Sequence, residues 1–440
     1  MIDRILILIK KLIPKKLFKA LQPFYHFLLG YVSAAWYGKP SEKMIVVGVT
    51  GTTGKTTTVF LIASILKSAG MKVGYITTAM FSDGEKEWLN DKKMTMVGRF
   101  FTQGMLIRME ENKCDVVIVE TTSEGIAQFR HKFINYDTLL FTGLYPEHIE
   151  SHGGFENYKK AKGKLFAHLR DCKKKKINGK EIEKTTIVNA DDEHAEYFQS
   201  FWAEKKMSFG IQKGAEIKAE NITSDASGSR FTIRDTQYAI NLLGGFNVAN
   251  SLAAISVAKA MDIYDEKIKS GLEKITGTPG RLEKIDEGQD FTVIVDYAFE
   301  PNAVLKLYET IGNIPHSKII HVLGSTGGGR DKARRPKLGK LAGEKADYVI
   351  VTNEDPYDED PMQIIDEVAA GAENKKEGEN LWKILDRQEA IRKALSLAQA
   401  QDIVLITGKG SEQAICVENG KKILWDDREV VREELNGLIV

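Results

Sequence analysis

Short apolar runs alternate along this chain with stretches whose apolar positions recur every three or four residues. Five runs in the first half read as buried strands, at 44–49, 73–77, 115–120, 138–142 and 185–189. The spacing between and after them predicts helices over 55–69, 101–112, 155–170 and 247–261. Alternation of this kind specifies a mostly parallel sheet with helices on both faces. Residues 205–240 break the rhythm: 214–220 and 229–234, separated by Gly, Ser and Asp, predict a small antiparallel elaboration. After the turn cluster Thr276-Gly-Thr-Pro-Gly-Arg281, a predicted hinge, a second alternating series begins, with strands at 291–297, 318–323, 347–352 and 402–407. The fold class is therefore α/β, as two successive sheet systems.

Composition changes this picture little. A chain of 440 residues suggests roughly two to four domains, and 42% apolar with 28% charged residues is ordinary for a globular protein. The formal net charge of +1 supplies no global field toward nucleic acid. Cys114, Cys172 and Cys416 stand alone, without metal-ligand spacing, and fit a reducing, cytoplasmic setting. Lys-rich 173–184 and Glu/Lys-rich 374–379 read as solvated loops, and no internal repeat is visible.

The first 42 residues differ from the rest. Residues 1–38 hold one acid, Asp3, against Arg4, Lys10, Lys11, Lys15, Lys16 and Lys19, interleaved with Ile5-Leu-Ile-Leu-Ile9, Leu12, Ile13, Leu17 and Phe18. Pro14 and Pro23 interrupt any apolar run well short of the ~20 residues a spanning helix needs, and no small-residue cleavage site marks a signal peptide. Two readings stand for residues 1–21: a basic amphipathic segment peripheral on the inner, anionic membrane face, or short helices covering the next domain. The Phe24–Trp36 part reads as plain packing.

The strongest chemical signal follows the first strand. Gly48-Val-Thr-Gly-Thr-Thr-Gly-Lys-Thr-Thr-Thr58 sits between the apolar run 44–49 and a helix opening at Phe60-Leu-Ile-Ala. A buried strand running through a glycine-rich loop into a helix is a phosphate cradle. Gly51, Thr52, Thr53, Gly54, Lys55, Thr56 and Thr57 are the ATP-binding candidates, with Lys55 directed at the β/γ-phosphates and the Thr56 hydroxyl at Mg²⁺. The spacing departs from the strict motif, because the position five before Gly54 is Val49. Glu120 ends the strand Val116-Val-Ile-Val-Glu120, where a carboxylate is costly unless it meets a cation; a magnesium ion would satisfy it. His148 and His152 lie four apart, and Lys162 lies in the lysine-rich Tyr158–Phe166 stretch. In the second series the strands end in Asp296-Tyr-Ala, Gly324-Ser-Thr-Gly-Gly-Gly-Arg330, Asn353-Glu-Asp-Pro356 and Gly408-Lys-Gly-Ser-Glu412, predicting a second binding surface.

In their order these residues resemble the Mur ligase family, and within it most closely the UDP-N-acetylmuramoyl-tripeptide synthetases. The resemblance runs from about residue 43 to 440. It rests on Thr50-Gly-Thr-Thr-Gly-Lys-Thr-Thr57, Glu120-Thr-Thr-Ser-Glu124 with Arg130, Glu147-His-Ile-Glu-Ser-His-Gly153, and Tyr158 to Lys162. It continues through Gly244 or Gly245 to Asn250, Pro279-Gly-Arg281, Asp296-Tyr-Ala, Gly327-Gly-Gly-Arg-Asp-Lys332 with Arg335-Pro336, and Gly408–Glu412.

The resemblance implies three segments: 1–42 basic and helical, 43–280 a central P-loop ATP-binding domain, and 281–440 a Rossmann-like domain. It implies an ATP-dependent ligase joining a free amino acid to a muramyl-peptide precursor, UDP- or lipid-linked, through an acyl phosphate. Lys55, Glu120, His148 and Lys162 would be catalytic, with Thr56, Glu120, His148 and a CO₂-carbamylated Lys162 as magnesium ligands. Asn247, Asn250, Arg281 and Asp296 would join the ATP site. Thr95, Thr122, Ser123, Arg130, Asp355, Lys409 and Glu412 would contact the substrates.

Several positions depart from the family pattern. Gly143 replaces an asparagine, Glu147 an aspartate and Phe299 a histidine, and the Thr-Thr-Pro acceptor loop reads Thr95-Met-Val97. The Asp-Asn-Pro-Arg motif of diaminopimelate-adding enzymes reads Glu354-Asp-Pro-Tyr357, without the arginine that would grip a carboxylate, which leaves lysine among the open choices. Only 42 residues precede the central domain, where the family usually carries a UDP-sugar-binding domain. The alternatives are a folylpolyglutamate synthetase-like ligase, a P-loop ATPase that couples hydrolysis to movement, and an inactive scaffold homologue.

Overall fold

The computed structural model describes residues 15–145, 152–212, 214–225, 227–329 and 331–439. These form two compact units. One comprises residues up to Trp88, Met94–Lys218 and Leu252–Ile268; the other comprises Leu89–Lys93, Ala219–Ser251 and the chain from Lys269.

The first unit is built on a nine-stranded sheet. In chain order its strands are β1 Ile45–Thr50, β2 Val73–Ile76, β3 Met80–Ser82, β4 Glu87–Leu89, β5 Val116–Glu120 and β6 Thr138–Phe141. After a separate two-stranded hairpin, β7 Lys175–Ile177 with β8 Lys180–Ile182, come β9 Thr185–Asn189, β10 Lys205–Gly210 and β11 Ile217–Lys218. The spatial order is β11-β10-β9-β6-β1-β5-β2-β3-β4. The pairings from β2 across to β11 are parallel, whereas β3 returns antiparallel on β2. Both faces of β1 and β5 are buried, which is why those strands read as unbroken apolar runs. On one face Val46, Val117, Val119, Leu139 and Phe141 pack with Leu106 and Met109 of helix Arg99–Glu111 and Leu165 and Phe166 of helix Phe155–His168.

Two expectations fail in this unit. Residues 173–184 form the β7–β8 hairpin rather than a solvated loop. Lys175 and Lys184 are buried on Asp137, at 2.5 and 2.9 Å, because that carboxylate at the foot of β6 needs cationic partners. Among the described residues, helix Lys15–Trp36 is packed on one side only. Gly30, Ser33 and Ala34 are buried and Phe27 and Tyr31 meet the Phe133 ring edge-on, but Phe24 and Trp36 remain 67% and 77% exposed.

The second unit carries the antiparallel sheet β12 Glu220–Asp225, β13 Gly228–Ile233 and β14 Thr236–Ile240. Its larger sheet uses β15 Glu283–Ile285, β16 Thr292–Asp296, β17 Ile319–Leu323, β18 Tyr348–Thr352, β19 Leu381–Ile384 and β20 Ile403–Thr407, in the order β15-β16-β20-β17-β18-β19. All pairs are parallel except β15 on β16. Alternate residues serve opposite cores: Ile403 and Leu405 face Leu307, Leu338 and Val368, while Val404 and Ile406 face Ile391, Leu395 and Val431. A short hairpin, β21 Ala414–Cys416 with β22 Lys422–Leu424, follows the last strand.

Candidate active site

At the carboxyl end of β1 the backbone turns sharply through Gly51 to Gly54. A side chain at Gly51 would place its Cβ 1.9 Å from Thr142 Oγ1, and Gly54 sits at φ +77°, so both positions require glycine. Gly54 caps helix Lys55–Ser68, whose first-turn N–H groups lack intrahelical partners by construction and favour an anion. The loop is held by Thr52 N–H to Gly143 O at 2.8 Å and by Thr142 Oγ1 to Thr53 O at 2.7 Å. Lys55 Nζ folds back onto Thr52 O at 2.7 Å.

Glu120, at the end of neighbouring β5, is buried beside this loop. Its Oε2 accepts from Thr56 Oγ1 and from Thr78 N–H, and its Oε1 accepts from Thr78 Oγ1, each at 2.9 Å. Hydroxyl and amide donors thus solvate the carboxylate, and Thr56 and Glu120 lie together at the helix start, as a magnesium ion beside a triphosphate requires. Thr78 was not visible as a candidate; its only signal is a Thr-Thr pair closing the strand two places from the phosphate loop.

Lys162 is buried, with Nζ bonded to Gly51 O at 2.7 Å and lying over the Tyr158 ring at 4.8 Å. Tyr158 OH in turn meets Thr52 Oγ1 at 3.1 Å, so the Tyr158–Lys162 helix turn grips the phosphate loop. His148 and Glu147 lie outside the described residues. His152 meets Ser123 Oγ at 3.0 Å, and burial lowers its pKa. Thr122 caps helix Ser123–Ala127 by accepting from Gly125 N–H. Among the described residues no three His, Cys, Asp or Glu side chains converge as a metal cage. Thr56 and Glu120 offer a hydroxyl and a carboxylate oxygen of the kind magnesium takes, and Lys162 lies close to the same loop.

The acceptor-loop candidates gather in the same unit. Thr95 Oγ1 lies 2.7 Å from Thr78 Oγ1, one step from Glu120. Arg130 donates to Met96 O and to Gln128 Oε1, and its buried Nε has no partner among the described residues. Arg99, which sequence reasoning passed over, donates to Gln128 O and likewise leaves Nε unpaired. Burial lowers the pKa of both arginines, and each other's charge lowers that of Arg99 further.

The second unit presents its own polar centre at the carboxyl ends of β16, β20, β17 and β18. Asp296 accepts the N–H groups of Leu282 and Ala298 at 2.7 and 2.6 Å; burial raises its pKa against the pull of Arg281. The Arg281 guanidinium stacks on Tyr297 at 4.2 Å. Phe299, in place of histidine, lies edge-on to Tyr297 and under Arg334.

Asp355 is the hub of this centre. It accepts from Lys93 Nζ, Lys409 Nζ and Cys416 N–H, and both lysines also reach Glu412. Burial alone would raise the Asp355 pKa, but the two ammonium groups hold it below the usual carboxylate range. Lys93 escaped sequence reasoning because it stands in a polar Asp91-Lys-Lys93 run with no motif. Among the described residues, buried Glu354 takes one hydrogen bond, from Thr326 Oγ1 at 2.6 Å, and its Oε2 none; burial raises its pKa. Asn247 Nδ2 donates to Leu243 O, and its Oδ1 accepts from Asn250 Nδ2, at the start of helix Phe246–Ala260.

Comparison with known proteins matches two domain families in turn along the chain. The Mur ligase middle domain matches residues 49–258, and the Mur ligase glutamate ligase domain matches 280–410. A UDP-N-acetylmuramyl-tripeptide synthetase of Roseiflexus sp. (strain RS-1) is 37% identical over 417 residues, covering 92% of this chain and 81% of that protein. A solved UDP-N-acetylmuramoyl-L-alanyl-D-glutamate–2,6-diaminopimelate ligase superposes with a TM-score of 0.60 at 26% identity, covering 90% of this chain and 79% of that one. The folylpolyglutamate synthase of Mycobacterium tuberculosis superposes at 0.67 with 15% identity, covering 89% and 96%, and shares the fold alone. With two of the family's domains matched in order around a phosphate loop and a strand-end acid, this chain belongs to the Mur ligase family of ATP-dependent ligases.

Proposed function

We propose that this ligase adds an amino acid to the stem peptide of a peptidoglycan precursor through an acyl phosphate. The Thr56–Glu120 hydrogen bond at the mouth of the phosphate loop carries the reading. The acceptor carboxylate attacks the γ-phosphorus of ATP and displaces ADP. The amine nitrogen then adds to the acyl carbon, loses a proton, and the tetrahedral adduct expels phosphate. No side-chain nucleophile is required; positioning and charge compensation carry the chemistry. The amides of Gly54–Thr57 and Lys55 hold the triphosphate, while Thr95, Thr122, Ser123 and Arg130 orient the acceptor carboxylate. Thr56, Glu120, His148 and, as its carbamate, Lys162 would hold magnesium, which when bound neutralises phosphate charge.

In this reading residues 43–280 bind the nucleotide and acceptor, and 281–440 bring the amino acid. Asn247, Asn250, Arg281 and Asp296 complete the ATP site. Asp355, Lys409 and Glu412 receive the incoming amino acid. Tyr357, where an arginine would stand, offers no bidentate grip for a distal carboxylate, which favours an amino acid without one, such as lysine. We place the enzyme in the cytoplasm, with residues 1–21 in peripheral contact with the inner membrane face and the acceptor either UDP- or lipid-linked. Among the described residues no helix is long and apolar enough to cross a membrane.

Phosphate release measured across a panel of amino acids, with UDP-linked and lipid-linked muramyl peptides, tests the whole proposal. Stoichiometric amide and phosphate support it; ATP hydrolysis that ignores both co-substrates overturns it. Lys162→Ala should lose activity and regain part of it with small carboxylates, whereas full activity without them removes the carbamate.

A further inference from the structure

Helix Lys15–Trp36 has two apolar faces, and the fold uses one. Gly30, Ser33 and Ala34 are buried, and Phe27 lies beside them against Phe129 and Phe133. The opposite stripe consists of Leu21, Phe24, Tyr25, Leu28, Val32 and Trp36, each between 41% and 77% exposed. These positions recur at three- and four-residue intervals, so they share one side of the helix. Apart from His26, no residue from Ala20 to Tyr37 is ionisable below the tyrosine range. A contiguous apolar stripe facing water from Leu21 to Trp36 marks an interaction surface.

The charge distribution selects the occupant. The sequence preceding the stripe, residues 1–19, carries Arg4, Lys10, Lys11, Lys15, Lys16 and Lys19 against Asp3. A second copy laid on this face would bring two such basic segments together and be repelled. Residues 1–14 folded over it would leave their own cations without an anionic partner. Tyrosine and tryptophan are side chains that settle at a lipid headgroup boundary, and clustered lysines beside an apolar stripe are drawn to anionic lipid.

We infer that the Leu21–Trp36 stripe docks on an anionic phospholipid surface, with the neighbouring lysines meeting the headgroups. This extends the membrane contact assigned above to residues 1–21 onto a folded, structured face, and it is independent of the ligase chemistry.

Co-sedimentation of the full chain with phosphatidylcholine vesicles, with and without phosphatidylglycerol, tests this. The chain should bind the anionic vesicles, less so at high salt. A Phe24→Ser/Leu28→Ser/Trp36→Ser variant should bind them at least about tenfold more weakly. Replacing Lys10, Lys11, Lys15, Lys16 and Lys19 with glutamine should abolish the preference for phosphatidylglycerol. A triple variant that binds like the parent overturns the docking face and leaves the contact through residues 1–21 standing; a parent that ignores vesicles overturns both. Dimers in light scattering that the triple variant dissolves, or vesicle-independent exchange protection of the stripe, assign the face to a second copy or to residues 1–14 and likewise overturn it. Should the triple variant misfold, Phe24→Gln/Trp36→Gln carries the same test. Phosphate release with a soluble acceptor should be unchanged in either variant, which separates failure of the docking face from failure of the ligase assignment.

Discussion

Glu120 shows how a single acid can be readied without a permanent cation. Three donors from Thr56 and Thr78 solvate it, and each can yield or share an oxygen lone pair when a divalent ion arrives. Thr78 is the side chain that orients the carboxylate, and it touches Thr95 with the same hydroxyl. Thr78→Val keeps the shape and removes that donor. It should cost about 1 kcal/mol of stability and raise the magnesium concentration that gives half-maximal phosphate release. An unchanged magnesium titration in a folded variant would assign Thr78 a packing role only. In the second unit, Lys93 and Lys409 jointly compensate Asp355 and Glu412. Lys93→Met leaves two largely buried carboxylates to share one ammonium, so a loss of about 3 kcal/mol is expected in urea unfolding. Asp355→Asn in the same background should restore much of that loss. If the double variant is no more stable than Lys93→Met, the pair is not the source.

Among elements, those set by local pattern were legible and those set by tertiary partners were not. The parallel strands from β1 to β20 that are buried on both faces stand out as apolar runs, and their helices end within a residue or two of the periodicity. The short strands β3, β4, β15 and β19 carry mixed residues and owe their pairing to a neighbouring strand, which no local signal encodes. Gly51, Gly54 and Glu120 were readable because backbone geometry and strand position dictate their type, whereas Lys162 stood out from its neighbouring lysines only through the family resemblance. Thr78, Arg99 and Lys93 were not readable, since an ordinary residue acquires its role there from what folds against it. The β7–β8 hairpin is the sharpest case. Its lysines look solvated in sequence, yet Lys175 and Lys184 are fixed on Asp137, and burial brings Lys175 down to about 8. Asp137→Asn would strand both ammonium groups, at a cost of about 3 kcal/mol or more. A lysine depressed in the folded state binds fewer protons there than when unfolded, so stability rises with pH through the interval between its two pKa values. The Asp137→Asn variant should therefore recover stability as pH rises from about 8 toward 10.5 in urea melts; a flat profile would mean the lysines have found other partners.

At the scale of the whole molecule, acid should weaken both units, starting with histidines. His168 lies in the first unit with Nε2 on Ile134 O at 3.2 Å and Nδ1 beside Lys132 Nζ, and burial followed by the Lys132 charge lowers it to about 4. Its neighbour His131 is buried, and burial with the His168 and Lys132 charges lowers it well below the ordinary value. His321, in the second unit, sits between Tyr308 and Thr407 and is lowered to about 3 by burial and then by Arg387. All three are neutral in the folded chain at pH 7 but titrate near 6.5 once unfolded. Between pH 6.5 and about 4 the unfolded chain therefore binds more protons than the folded one, and stability falls as pH falls. For His168 the shift corresponds to roughly 3 kcal/mol once pH is below its folded value. Carboxylates lost to acid act lower down: Glu359, held by Arg335 and Lys332 at about 2 despite the cost of its burial, contributes stability that disappears only as pH drops from about 4.5 toward 2. The two effects thus occupy different windows. His168→Gln keeps a donor toward Ile134 O and removes the titration, so the variant should lose less stability than the parent between pH 6.5 and 4.5 and parallel it below pH 4. Urea midpoints at pH 7, 5.5, 4.5 and 3.5 decide the matter. Equal slopes for parent and variant above pH 4.5 would mean that a different group starts the acid transition.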